Sequence, residues 1–290
     1  MLKGLYTALI TPFKNGKIDE AAFESFVNWQ IEQGVHGLVP CGTTGESPTL
    51  SADEHKQVVE LCVKTAAGRV AVMAGTGSNS TAEAIYFTQH AQKAGSDSAL
   101  VIAPYYNKPT QEGLFLHFKA IHDATDIPII VYNVPARSVV NITDETFKRL
   151  ADLPRIAGIK DATGDLARPS NLRYLVGDRL KLFSGEDMTA VGFNAQGGQG
   201  CISVASNITP QLCAEIQNKS LSGDYAGALQ THEKLVGLIQ ALFAETNPIP
   251  VKYAAHLLGK CTQDLRLPLS LASESVQLRI KAEMQKLGLI

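Results

Sequence analysis

The sequence predicts an α/β protein, a closed (β/α)8 or TIM barrel over residues 1–223 with an all-helical C-terminal appendage over residues 224–290. Three observations carry that prediction. Short apolar runs alternate with helical stretches, there are eight such runs, and the strand signal stops after about residue 223. Each run is almost continuously apolar, as expected where both faces of a parallel strand are buried. Eight βα units in roughly 220 residues suit closure better than an open, doubly wound sheet.

"GLYTALITPF" is the first strand. The helix "DEAAFESFVNWQIEQG" puts Phe23, Phe26, Val27 and Ile31 on one face, with Asp19 as N-cap and Gly34 as the stop. "HGLVPCG" is the second strand, and "SADEHKQVVELCVKTAAG" opens on a capping box from Ser51 to Glu54 and ends at Gly68. "RVAVMAG" is the third, followed by a helix whose box runs from Ser80 to Glu83. Strands "SALVIAP", "IPIIVYN", "IAGIK", "LKLFSG" and "CISVAS" come next, separated by helical "TQEGLFLHFKAIHDA", "TDETFKRLAD", "PSNLRYLVG" and "MTAVGFNAQ". The glycine-rich "QGGQG" at 196–200 precedes the eighth strand, so it reads as a tight αβ turn at the closed end. Three further helical stretches, beginning at "DYAGALQ", "PIPVKYA" and "SLASESV", make the appendage.

Bulk properties exclude several classes. Of 290 residues 45% are hydrophobic, and 26 Lys and Arg face 28 Asp and Glu for a formal net charge of -2. No basic block stands out, which argues against nucleic acid as a partner and against electrostatic attraction to membranes. Apolar runs are strand-sized, too short to span a bilayer, and no signal peptide opens the chain, so a cytoplasmic protein is expected. Cys41, Cys62, Cys201, Cys213 and Cys261 show no C-x-x-C spacing and read as reduced, buried residues.

In such a barrel, chemistry happens where the C-terminal strand ends meet their loops. Those ends carry "TPF", "PCGTTGES", "GTGSNS", "PYYNKP", "YNVPARS", "KDATGD", "SGED" and "SVASN". They hold hydroxyls, glycines, one arginine and Lys160 at the end of an apolar run, but no histidine and no carboxylate pair at ligand spacing. A metal hydrolase is therefore poorly supported, and no nucleotide motif occurs. A pyridoxal phosphate enzyme needs a phosphate cradle where "SGED" puts two carboxylates. The set suits imine chemistry with no metal and no cofactor. A lysine amine attacks a ketone only when unprotonated, and burial disfavours the ammonium. Tyrosine and threonine hydroxyls donate and accept protons. "GTTGE" offers N–H groups to a carboxylate, and Arg137 suits a second one, although an ion pair with Asp161 is the competing role.

"GTTGES", "YYNKP", "YNVPARS" and "GIKDATGD", in that order, resemble the dihydrodipicolinate synthase family of pyruvate-dependent class I aldolases across essentially the whole chain. The resemblance implies that Lys160 forms a Schiff base with pyruvate, and that Thr44, Tyr132 and Tyr106 relay protons with Thr43 arranging them. It implies that Thr44 holds the pyruvate carboxylate, that Gly185 and Ile202 line the pocket, and that Arg137 receives the carboxylate of aspartate semialdehyde. Tyr106 is expected to reach a neighbouring subunit's site in a homotetramer. Matching positions in such enzymes bind L-lysine as feedback inhibitor. Here these are Ser47, His55, Asn79, Glu83 and Tyr105, expected on the far side of the pocket loops, while Ala52 stands where many lysine-sensitive members have histidine. The alternatives are an N-acetylneuraminate lyase or sugar-acid aldolase, which Arg137 disfavours, and a non-catalytic sensor of keto or amino acids.

Overall fold

A computed structural model describes residues 2–290. Its strands are β1 (Gly4–Ala8), β2 (Gly37–Val39), β3 (Ala71–Gly75), β4 (Ser98–Ile102), β5 (Ile129–Asn133), β6 (Ile156–Asp161), β7 (Lys181–Ser184) and β8 (Gly200–Ser203). They pair in parallel in that order, and β1 closes the barrel against both β2 and β8. Around them run α1 (Glu20–Glu32), α2 (Ala52–Ala66), α3 (Thr81–Ala94), α4 (Gln111–Ala124), α5 (Asp144–Leu150), α6 (Arg168–Val176), α7 (Ala190–Ala195) and α8 (Pro210–Leu221). The appendage contains α9 (Tyr225–Leu242), α10 (Ile249–Leu257) and α11 (Glu274–Lys286).

The strand pattern is right in number and order, and its ends need correction. β1 stops at Ala8. Phe13–Lys14 instead pairs antiparallel with Lys17–Ile18, beyond Pro12, which has no N–H for a ladder. β8 stops at Ser203 because the Asp187 carboxylate accepts from the N–H groups of Val204 and Ala205, at 2.9 and 3.0 Å, and turns the chain into a 3-10 segment, Ala205–Asn207. A short helix, Pro135–Ser138, lies within "YNVPARS". The eighth barrel helix, α8, was absent from the sequence pattern, although Pro210 is a good first residue for a helix. Capping at α2 is reciprocal, as expected. At α3 only half the box forms: Ser80 Oγ accepts from Glu83 N, while the Glu83 carboxylate accepts from Ser78 Oγ.

Inside the barrel, Tyr6, Met73, Leu100, Ile130, Phe183 and Ile202 fill the lumen. The Tyr6 ring meets Phe183 edge-on, with centroids 5.4 Å apart, and a Cβ on Gly37 would overlap it. Burial pushes the Tyr6 phenol up to about 12. The lumen is therefore a packed plug beneath the mouth, not a channel. The appendage shares one apolar cluster with α1, α2 and α8, where Phe23, Val58 and Ile216 join Leu238 and Ile280. No helix among the described residues is long and apolar enough to cross a membrane.

Candidate active site at the barrel mouth

Lys160 owes its direction to an irregularity. Along β5 and β6, Ile129 lies opposite Ile156 but Ile130 lies opposite Gly158, a slip of one residue. Ile156 and Ile159 therefore both face the helices, which strict alternation would forbid. Having skipped one residue, β6 turns Lys160 inward, opposite Tyr132 on β5 and Phe183 on β7. The lysine is only 6% exposed, and its Nζ stands 4.1 Å from the centre of the Tyr132 ring.

The next residue pair, Asn133 and Asp161, is buried and held by α6 and the loop before α5. Asn133 Nδ2 donates to Asn141 Oδ1 at 2.9 Å, and its Oδ1 accepts from Ile142 N at 3.0 Å. Arg168 Nε sits 2.8 Å from Asp161 Oδ2, and its Nη2 donates to Ile142 O. The expected competitor for Arg137 is thus already paired elsewhere. This guanidinium girdle, which sequence reasoning missed, braces the Tyr132–Lys160 pair from behind.

Across the mouth lies the turn after β2. Cys41 and Glu46 adopt left-handed φ of 55° and 56°, conformations that cost a side chain-bearing residue about 1–2 kcal/mol. Thr11 Oγ1 donates to Gly45 O at 2.7 Å, closing the turn against β1. From the appendage, Lys252 Nζ reaches Glu46 Oε1 at 2.6 Å with both side chains fully buried, and Arg266 N donates to Glu46 Oε2 at 3.1 Å. Burial lowers the Lys252 ammonium, and Glu46 opposes that shift.

Thr43 lines the mouth cavity with Tyr132 and Arg137, and Thr44 is buried next to it, where its Oγ1 accepts from Asn247 Nδ2 at 3.0 Å. Arg137 is exposed. Its Nη2 donates to Asn247 O at 3.1 Å, and no carboxylate among the described residues forms an ion pair with it. Gly185 lies at the β7 end, with its N–H donating to Asp161 O at 2.6 Å. A Cβ there would sit 2.8 Å from that of Ala162. Ile202 is buried in the lumen below. Glu186, also missed, sits in this mouth; burial and then Asp187 hold its carboxyl above the usual range, while Lys160 and Arg137 oppose that.

Tyr106 is not brought to Lys160 within one chain. It is 92% exposed with φ of 71°. Burial raises the thiols of all five cysteines, Cys41 included, so none is a ready thiolate.

The five residues set aside for lysine are only partly grouped. Asn79 Nδ2 donates to Tyr105 O at 3.1 Å, and Glu83 is among the causes of the raised Tyr105 phenol, after burial. Ser47 and Tyr105 line the same cavity as Thr43, Tyr132 and Arg137, which corrects the expectation of a far-side cluster. His55 is buried, stacked on Phe87 at 4.0 Å, with Nε2 2.9 Å from Gly75 O, and burial lowers it to about 4. It is a buried, neutral residue of the α2–α3 packing.

Residues 1–287 match the profile of the Dihydrodipicolinate synthetase family. A 4-hydroxy-tetrahydrodipicolinate synthase of Parvibaculum lavamentivorans is 59% identical over 290 residues, covering 100% of both chains. Among solved structures, the chloride-inhibited dihydrodipicolinate synthase of Acinetobacter baumannii, complexed with pyruvate, superposes with a TM-score of 0.98 at 42% identity, covering 100% of both chains. The enzyme of Cyanidioschyzon merolae with lysine bound gives a TM-score of 0.96 at 36% identity, covering 99% of each.

Proposed function

The chain belongs to the dihydrodipicolinate synthetase family, and on that premise we propose how its barrel mouth performs the family's reaction. The protein is a lyase of lysine and diaminopimelate biosynthesis that condenses pyruvate with L-aspartate 4-semialdehyde to 4-hydroxy-tetrahydrodipicolinate. The observation that carries the mechanism is the inward Lys160, almost closed off from water and set on the Tyr132 ring.

The unprotonated Nζ adds to the keto carbon of pyruvate, and loss of water gives the imine. A proton leaves the methyl carbon to give the enamine, whose carbon adds to the semialdehyde's aldehyde. The semialdehyde's own amine then adds to the imine carbon and expels Lys160, closing the ring. The hydroxyls of Tyr132 and Thr44 carry the protons, with Thr43 beside them and Tyr106 supplied by a second copy in a homotetramer. The turn at Thr44 takes the pyruvate carboxylate, Gly185 and Ile202 close the pocket floor, and Arg137 takes the second carboxylate. That no carboxylate among the described residues forms an ion pair with it supports that role over the sugar-acid alternative. The reading places the enzyme in the cytoplasm.

Borohydride reduction in the presence of pyruvate is the test. The trapped adduct is expected on Lys160, and Lys160→Arg should lose it, since guanidinium stays protonated. Trapping at another lysine overturns the mechanism.

L-lysine is proposed as a regulator at Ser47, His55, Asn79, Glu83 and Tyr105. Glu83 would take an ammonium, and Tyr105 shares the reaction cavity's wall. Initial rates should fall with millimolar-scale lysine, and Glu83→Ala should blunt that fall. Equal inhibition of parent and variant leaves these residues structural.

A further inference from the structure

Thr44 and Arg137 lie on different loops of the barrel, yet each is hydrogen-bonded to the same appendage residue. Asn247 Nδ2 donates to Thr44 Oγ1 at 3.0 Å, and Asn247 O accepts from Arg137 Nη2 at 3.1 Å. Asn247 is 6% exposed. Its Oδ1 is buried with no hydrogen-bond partner among the described residues, an arrangement that costs free energy. Two residues past Thr44, Glu46 is gripped by Lys252 from the start of α10, so the turn and the appendage meet at two successive points.

We propose that Asn247 is a positioning residue for both halves of the reaction, its side chain setting the Thr44 hydroxyl and its main chain setting the Arg137 guanidinium. The argument turns on donors and acceptors. A threonine hydroxyl has one proton and two lone pairs. With the Asn247 amide donating into one lone pair, the Thr44 proton points away from Asn247 and is free for transfer. The amide thereby fixes the direction in which Thr44 passes its proton. The carbonyl restrains the Arg137 fork by one N–H and leaves the rest for a substrate carboxylate. This assignment rests on the imine mechanism above and adds to it the source of the relay's direction.

The two contacts come from different parts of one residue, so they separate experimentally. Asn247→Ala removes the amide and keeps the carbonyl. Asn247→Asp keeps the shape but replaces the donor with an acceptor that draws the Thr44 proton toward itself, and it serves also if the alanine variant does not fold. The readouts are the rate of borohydride trapping of pyruvate at Lys160 and the steady-state KM for aspartate semialdehyde. Trapping should slow about ten-fold in Asn247→Ala and at least as much in Asn247→Asp, while that KM stays within about two-fold of the parent. Parent-like trapping in Asn247→Asp overturns the role, and so does a parallel worsening of trapping and KM in both variants, which marks general loosening. A parent that traps nothing on Lys160 overturns the imine mechanism itself, a result distinct from either.

Discussion

Tyr132 and Lys160 face each other as a register pair on adjacent strands, whereas Thr44 and Asn247 meet across 203 residues of chain. These two sides of one mouth are built by different physics. On the β5–β6 side, the barrel ladder sets the spacing, one slipped residue sets the direction, and Arg168 with Asn141 closes the back. On the other side, a strained turn is kept in shape by charges and amides from the appendage. The first side is stiff because a sheet is stiff. The second depends on the docking of α10.

The largest effect that sharpens this contrast comes from the Lys252–Glu46 pair, at 2.6 Å and out of water. Lys252→Met leaves a buried carboxylate without its counter-charge, a loss on the order of 3–5 kcal/mol by urea unfolding. Adding Glu46→Gln should recover more than half, because the penalty comes from the stranded charge more than from the lost attraction. The folded fraction of the single variant should also trap pyruvate more slowly, with the Thr44 turn loosened. A cost below about 1 kcal/mol would mean that water reaches the pair and that the turn needs no clasp.

The contrast also explains what was legible in the sequence. Strand number and order followed from apolar runs bounded by helix caps, because both signals are local. Lys160 and Tyr132 stood out for the same reason, as polar groups at the ends of such runs. The inward turn of Lys160 was not legible, since the slip at Ile156–Gly158 leaves no mark in composition. Asn247 and Lys252 were missed because their partners lie 203 and 206 residues back along the chain, and Arg168 because its partners are brought to it by the fold of the loop before α5 and the end of β6. The competing ion pair of Arg137 with Asp161 does not form, because Asp161 pairs with Arg168 on the following helix. The half-formed box at Ser80 shows the same weakness at short range: Glu83 has a competing donor in Ser78 that the motif does not count.

The smallest effect concerns the outer edge of the clasp. Arg266 holds Glu54 in a two-pronged pair, Nη2 to Oε1 at 2.5 Å and Nη1 to Oε2 at 2.7 Å, while stacked 4.3 Å from the Phe13 ring centre. The guanidinium bond is the main cause that lowers the Glu54 carboxyl to about 2, and burial opposes it. Because the folded value lies below the ordinary one of about 4.5, the contribution is complete above that value and is lost as pH falls toward about 2. With 27% of the Glu54 side chain exposed, screening reduces it to the order of 1–2 kcal/mol. The stability difference between the parent and Glu54→Gln, from urea midpoints, should therefore hold steady from pH 7 to about pH 5 and shrink toward pH 2.5. A difference that stays flat to the acid end would show that Glu54 joins the appendage to the barrel by shape and amide-like bonding, with its charge contributing nothing.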